Sequence, residues 1–528
     1  MTFARKQLRK PAFAARLVRP LAALLASAAL LLPLAAQADP VEVQSENIVF
    51  YGDVDPALAE ARVREWEIYR RVIFLLSGVM DPPPDGEKLT IYGFEKTRTL
   101  QEFVDRNGLR GVYTRGNQGP IFLTSVNDRK YRSSQEVGLH EYAHHVLEVI
   151  VREGFPRWYD EGFANYLSTM DISDGMVTLG DPSNDHMAAL RRKQAKFLSP
   201  ETVLSSNTLY PRYTRREWEK GGPMAFYGQA SLYVHYLFSH PEWNAKLPGY
   251  LAKLEAGVPP LDAFEQAYGE SPRDFHNRAV RYFKADEFIL NRYKLGEQVT
   301  EVDTTVRALS ESDLARAMIP ARMRFLHDGN RGRFKRQLDT AAQEHDNDLQ
   351  VMMGYAFLHI HDEDYAAARA QGEAMMAIAP DDHDARRTLA DALYHADIDT
   401  GKNSFKPAEP TENVETAIGH WKAILADNPL DYDALTHVLQ YYGSNGEPAD
   451  ATVQRAAATM DARFMDTFFP TKGLNIAVVY AKAGRVEDAC NYYEQARFET
   501  KGKKWKWMDS KLDWFEGEYG AACEGDDS

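Results

Sequence analysis

Leu139-His140-Glu141-Tyr142-Ala143-His144-His145-Val146-Leu147 is followed, past a break at Gly154-Phe155-Pro156, by Arg157-Trp158-Tyr159-Asp160-Glu161-Gly162-Phe163-Ala164-Asn165-Tyr166. These two segments decide how the rest of the chain is read. Two histidines four residues apart lie on one face of a helix, so both imidazoles can reach one metal ion. Leu139, Ala143, Val146, Leu147 and Ile150 give that helix an apolar side. Glu141 lies between the histidines, where a carboxylate can take a proton from a metal-activated water. Chance places such a pentapeptide in roughly 3 of 100 chains of this length and histidine content, so the pattern needs company. A hydrolytic zinc site uses three protein ligands and leaves a fourth position open. Glu161 stands 17 residues beyond His144, which is room for the first helix to end and a second to return alongside. The residues thus nominate His140, His144 and Glu161 as zinc ligands and Glu141 as general base.

Trp158, Glu161, Gly162 and Ala164 also match a Trp-x-x-Glu-Gly-x-Ala pattern. With the preceding His-Glu-x-x-His, the segment resembles the gluzincin metallopeptidases, most closely their aminopeptidase-like branch. The resemblance covers about 135–237 and, more loosely, the strands before it. It implies a zincin-like fold, one Zn²⁺ and hydrolysis of peptide bonds. In that branch a Tyr at the start of a downstream helix donates to the oxyanion, and Phe226-Tyr227-Gly228-Gln229 resembles that segment, which implies this role for Tyr227. The branch reads a free amine with a Glu in a Gly-Ala-Met-Glu-Asn motif. The nearest segment here, Gly116-Asn117-Gln118-Gly119-Pro120, has no acid, so an endopeptidase is favoured over an aminopeptidase. Residues 121–125 are expected to be an edge strand that takes an extended peptide by strand addition. His145 is turned about 100° from His144 around the helix and is read as a packing residue. His186 and His235 show no metal spacing.

The chain has 528 residues, 44% apolar and 11% aromatic, enough to build several cored domains and too apolar for wholesale disorder. Its net charge is −15, yet all six charges in the first 38 residues are basic, which leaves 56 basic against 77 acidic residues in the remainder. A body that acidic repels phosphate backbones and anionic lipid, so nucleic acid is excluded as a partner class. Basic residues, an apolar run over 21–34 and Ala36-Gln37-Ala38 read as a signal peptide cleaved after Ala38, with a periplasmic or secreted product and no membrane span after cleavage. The two cysteines, Cys490 and Cys523, are expected to bridge in that compartment.

Strand patterns fall at 47–51 and 89–94, helical patterns at 56–80 and 99–106, and a hairpin pattern at 111–114 and 121–125. Helical spacing dominates from 135 onward, which confines the expected sheet to the N-terminal quarter. Ala368 with Pro380, Ala417 with Pro429, and Tyr480, Gly484, Ala489, Tyr493 and Ala496 fall at the spacings of tetratricopeptide helix pairs. The resemblance covers about 346–500 and suggests three degenerate repeats with insertions near 397–412 and 443–448. The expected architecture is an α+β zincin-like catalytic domain, 39–300, followed by an all-α tetratricopeptide-like solenoid, 305–528. Such arrays bind a peptide or a partner protein, so this half is expected to recruit substrate or partner. The competing reading is a non-catalytic scaffold on a peptidase-like platform. That all five site roles are filled weighs for an enzyme.

Overall fold

The computed structural model describes residues 40–78, 88–109, 111–116, 119–126, 131–150, 155–182, 185–191, 197–205, 222–397, 411–445, 450–464, 470–500 and 508–523. The expected signal peptide lies outside them. Strands β1 (Val41–Gln44) and β2 (Ile48–Gly52) form a tight antiparallel pair, and α1 (Pro56–Leu76) returns the chain so that β3 (Leu89–Phe94) runs parallel to β2. Asp55 starts α1 by accepting a hydrogen bond from the Leu58 N–H, and Pro56 occupies the first turn, where no N–H is required. Ala59, Val63, Trp66, Tyr69 and Ile73 recur at helical spacing and are buried in the main core. Glu67 is buried among them. Its carboxylate accepts from Ser45 Oγ, Asn47 N and Asn47 Nδ2 at 2.6, 2.7 and 3.1 Å, which pins α1 to the β1–β2 turn.

Helix α2 (Thr97–Val104) leads into the hairpin β4 (Gly111–Gly116) and β5 (Gly119–Ser125), and β5 also pairs in parallel with β3. A second, antiparallel sheet holds β6 (Asp171–Ser173), β7 (Met176–Leu179) and β8 (Asn291–Lys294). The first sheet is completed from far down the chain by β9 (Thr305–Ala308), antiparallel to β1, and its order is β4-β5-β3-β2-β1-β9.

Two expectations are corrected here. The strands are not confined to the N-terminal quarter: β6 to β9 span three or four residues each, too short for alternation to register against a helical background. Nor is 121–125 an edge. β5 has β4 on one side and β3 on the other, so both of its backbone edges are used, and at that end of the sheet the outer strand is β4, as β9 is at the other. The boundary expected near 300–305 falls where the chain re-enters the first sheet, and 39–528 make one compact unit.

Helices α3 (Tyr131–Ile150), α4 (Arg157–Ser168), α5 (Asp185–Arg191), α6 (Pro200–Leu204) and α7 (Gly222–Ser239) pack on the sheet and on one another. Two glycines set the spacing. A Cβ on Gly138 of α3 would fall 2.4 Å from the Phe122 ring of β5, so its absence lets α3 settle on the sheet two residues before His140. A Cβ on Gly162 of α4 would fall 2.4 Å from the carbonyl oxygen of Ala230 on α7, a backbone atom that cannot swing aside. Gly162→Ala should therefore cost about 1–3 kcal/mol of stability by overpacking and weaken metal binding by tilting its neighbour Glu161. Thermal melts with and without added zinc check both, and an unchanged melt would show that α4 has slack against α7.

Further helices over 241–285 close the main core. Beyond β9 the described chain is helical. Leu349–His361 with Tyr365–Ile378, His383–Asp397 with Glu412–Asp427, Tyr432–Asn445 with Ala451–Phe464, and Pro470–Lys482 with Val486–Thr500 pack as four helical hairpins, one more than the three expected repeats. Of the two stretches read as insertions, 398–410 and 446–448 lie outside the described residues, and 443–445 close the helix Tyr432–Asn445. Ala368, Ala417, Ala489 and Ala496 are buried between helices, with Tyr480 and Tyr493 filling the gaps beside them. The last helix, Asp509–Cys523, is tied back by a Cys490–Cys523 disulfide with 5.3 Å between Cα atoms. Among the described residues no helix is long and apolar enough to cross a membrane.

Lys511 in that last helix is buried with its ammonium donating to Asn475 Oδ1, and burial pushes its pKa down to about 7. The folded value lies below the unfolded one of about 10.4, so the unfolded chain binds more protons between those limits. The destabilisation is complete below pH 7 and fades as pH rises toward 10. Lys511→Met should raise stability by about 1–4 kcal/mol at pH 6 and by much less at pH 10, which denaturant melts at the two pH values compare.

Candidate metal centre

The first turn of α4 and the middle of α3 bring four titratable side chains together. His140 Nε2 and His144 Nε2 are 3.3 Å apart, and Glu161 Oε2 lies 3.3 Å from the former and 3.5 Å from the latter. Three donors on a tetrahedral zinc with bonds of about 2.0–2.2 Å are separated by about 3.3–3.6 Å. The observed triangle has that size. His140, His144 and Glu161 thus form a candidate metal-binding group. Glu161 is only 2% exposed while the imidazoles are 15% and 16% exposed. The group is therefore closed off behind the carboxylate and more open to solvent on the histidine side.

The surroundings fix the donors. His144 Nδ1 faces Asp160 Oδ1 at 2.9 Å, which sets the tautomer that leaves the Nε2 lone pair free for an ion. Burial lowers the pKa of His144, but the Asp160 and Glu161 carboxylates outweigh it and hold the imidazole well above its ordinary value. Burial likewise pushes Glu161 up, and the Arg157 guanidinium with His144 more than reverses it, holding the carboxyl well below the usual range. Arg157 donates to Asp160 Oδ2 at 2.9 Å and to Glu161 Oε1 at 2.5 Å. His140 Nδ1 is buried with no hydrogen-bond partner among the described residues, so of the two imidazoles only His144 is locked by a carboxylate.

Glu141, half-buried, follows His140 on the same turn of α3. Tyr227, half-buried near the start of α7, reaches the site through an intermediary: its ring lies 5.3 Å from that of His186, which stacks on His140 with centroids 6.0 Å apart. A Cβ on Gly228 would fall 2.8 Å from the His186 carbonyl oxygen, so this glycine lets α5 approach α7 closely enough to place His186 there. His145 is buried and stacks on Tyr142, as read from its position on the helix. Asn165, one turn past Glu161, is buried, and the carboxylate that faces the His144 ring nitrogen is that of Asp160.

Asp160, Arg157 and His186 are the site residues that sequence reasoning missed. Asp160 was one of two adjacent acids, and its bond to His144 was a possible signal once Glu161 had been placed inward. For His186 there was no signal, since its neighbour His140 is 46 residues away in the chain. No protein-family model, no curated protein and no solved structure matches the chain.

Proposed function

We propose that the protein is an exported zinc-dependent metallopeptidase, an endopeptidase of gluzincin type, whose helical C-terminal half is a tetratricopeptide-like module that recruits its substrate or a partner protein. The observation that carries this reading is the triangle of His140 Nε2, His144 Nε2 and Glu161 Oε2 at tetrahedral zinc spacing, with Glu141 on the same helix as both histidines. Zinc held there supplies Lewis acidity to the substrate carbonyl and to the attacking water. Glu141 accepts the proton of that water and passes it to the leaving amine, so one carboxylate serves as base and then as acid. Tyr227 donates a hydrogen bond to the oxyanion as the carbonyl becomes tetrahedral. The outer edge of β4, beside α3, offers backbone donors and acceptors to an extended peptide. That mode of holding reads main chain in the middle of a substrate and needs no free terminus.

Metal analysis of the purified mature protein, paired with cleavage of casein and of an unstructured peptide library, tests the proposal. About one zinc per chain, internal cleavage products, and loss of cleavage on chelation with recovery on zinc addition are expected. Zinc binding without any cleavage would favour the scaffold reading, and absence of zinc binding would overturn both the metal and the mechanism.

A further inference from the structure

Arg157 stands at the first position of α4, three and four residues before Asp160 and Glu161, so a single guanidinium on the inner side of the helix reaches both carboxylates. The oxygens it takes are the ones the histidines do not use. Nη1 donates to Asp160 Oδ2 while Asp160 Oδ1 faces His144, and Nη2 donates to Glu161 Oε1 while Glu161 Oε2 faces both imidazoles. The side chain is 8% exposed, so water does not compete strongly for these bonds.

We infer that Arg157 is a positioning residue for the metal: its planar fork restricts Glu161 to one ligating oxygen and locks Asp160, and through it His144, in the orientation that presents Nε2 to the ion. This rests on the zinc reading above. A carboxylate with both oxygens free can swing to bidentate ligation and fill the coordination position that a hydrolytic site must keep open. Holding Oε1 in a charge-assisted bond prevents that swing. Asp160, bonded through both oxygens, cannot rotate away from Nδ1, so the tautomer of His144 stays fixed. The cation also changes the local charge. Arg157 offsets one of the carboxylates gathered around a divalent ion, which favours polarisation of a bound carbonyl or water.

The experiment uses the full mature chain and compares wild type, Arg157→Gln, Arg157→Lys and Asp160→Asn. Zinc affinity is measured by competition with a chromophoric chelator, and the ligand-field spectrum is recorded after Co²⁺ substitution. Wild type should give the intense visible bands of four-coordinate cobalt. Arg157→Gln should bind zinc about 10- to 100-fold more weakly, with weaker, shifted cobalt bands as Glu161 becomes bidentate. Arg157→Lys, able to hold one carboxylate at a time, should fall between. Asp160→Asn should cost less in the Arg157→Gln background than alone, because the two residues act on one imidazole. A lower melting temperature with wild-type zinc affinity and cobalt spectrum would mean that Arg157 only stabilises α4, and the inference would fall. If Arg157→Gln does not fold, the same comparison is read from Arg157→Lys and Asp160→Asn, where unchanged affinity and spectrum overturn it equally. Wild type that binds neither metal would instead overturn the zinc reading itself.

Discussion

Glu141→Gln is expected to keep its full complement of zinc while kcat falls about 10³-fold. The side chain is half-buried on α3 between two ligands without being one of the donors in the metal triangle. The amide has the same size and leaves the helix and the ligands undisturbed, but it cannot accept the proton of the attacking water. Binding survives and chemistry does not, so KM should move little. Tyr227→Phe should show a smaller defect, about 10²-fold in kcat, because one oxyanion donor is lost while the base remains. Metal content and steady-state kinetics on one preparation of each variant separate the two. A Glu141→Gln enzyme within tenfold of wild-type kcat would remove Glu141 from the mechanism.

His144→Ala and Glu161→Ala should each lower zinc affinity by about 10³-fold, since each removes one of three protein donors. Their stabilities should differ in kind. Removing His144 takes away a group that is 16% exposed and leaves Asp160 paired with Arg157. Removing Glu161 opens a cavity at a site 2% exposed and leaves half of the Arg157 fork without an acceptor, which should cost the apo protein about 2 kcal/mol more. Apo melting temperatures together with zinc stoichiometry distinguish them. Full stoichiometry in both variants would dissolve the proposed ligand set.

The His140–His144–Glu161 triangle was legible because its logic is local. Four residues separate His140 from His144, one turn of helix, and Glu161 sits on the next helix, where a short break forces the chain to double back. The apolar stripe of α1 and the β4–β5 hairpin are legible for the same reason, each being fixed by period and by turn residues. What was not legible depends on order across space. Strand order decides that β4 and not β5 carries the free edge, and nothing in either strand's composition encodes it. β9 is four residues with every side chain exposed, and what makes it a strand is the edge of β1 left open some 260 residues earlier. Arg157 and Asp160 have the spacing of an ordinary surface ion pair. Their role becomes visible only when the far oxygens are seen to face His144 and the other donors.

The β9–β1 ladder makes the helical half and the sheet mechanically continuous. Four residue pairs, Val41 with Ala308 through Gln44 with Thr305, and the Glu42–Arg307 ion pair at 2.8 Å hold the joint laterally. Arg71 and Arg64 of α1 clamp the approach, donating to the carbonyls of Val299, Glu301 and Val302. Tension applied to the helical hairpins is therefore carried by strand pairing before the peptide at 295–304 can straighten. A single cut in that peptide should leave two fragments that sediment as one particle, since the β9–β1 pairing joins them into a sheet whose opposite margin is β4.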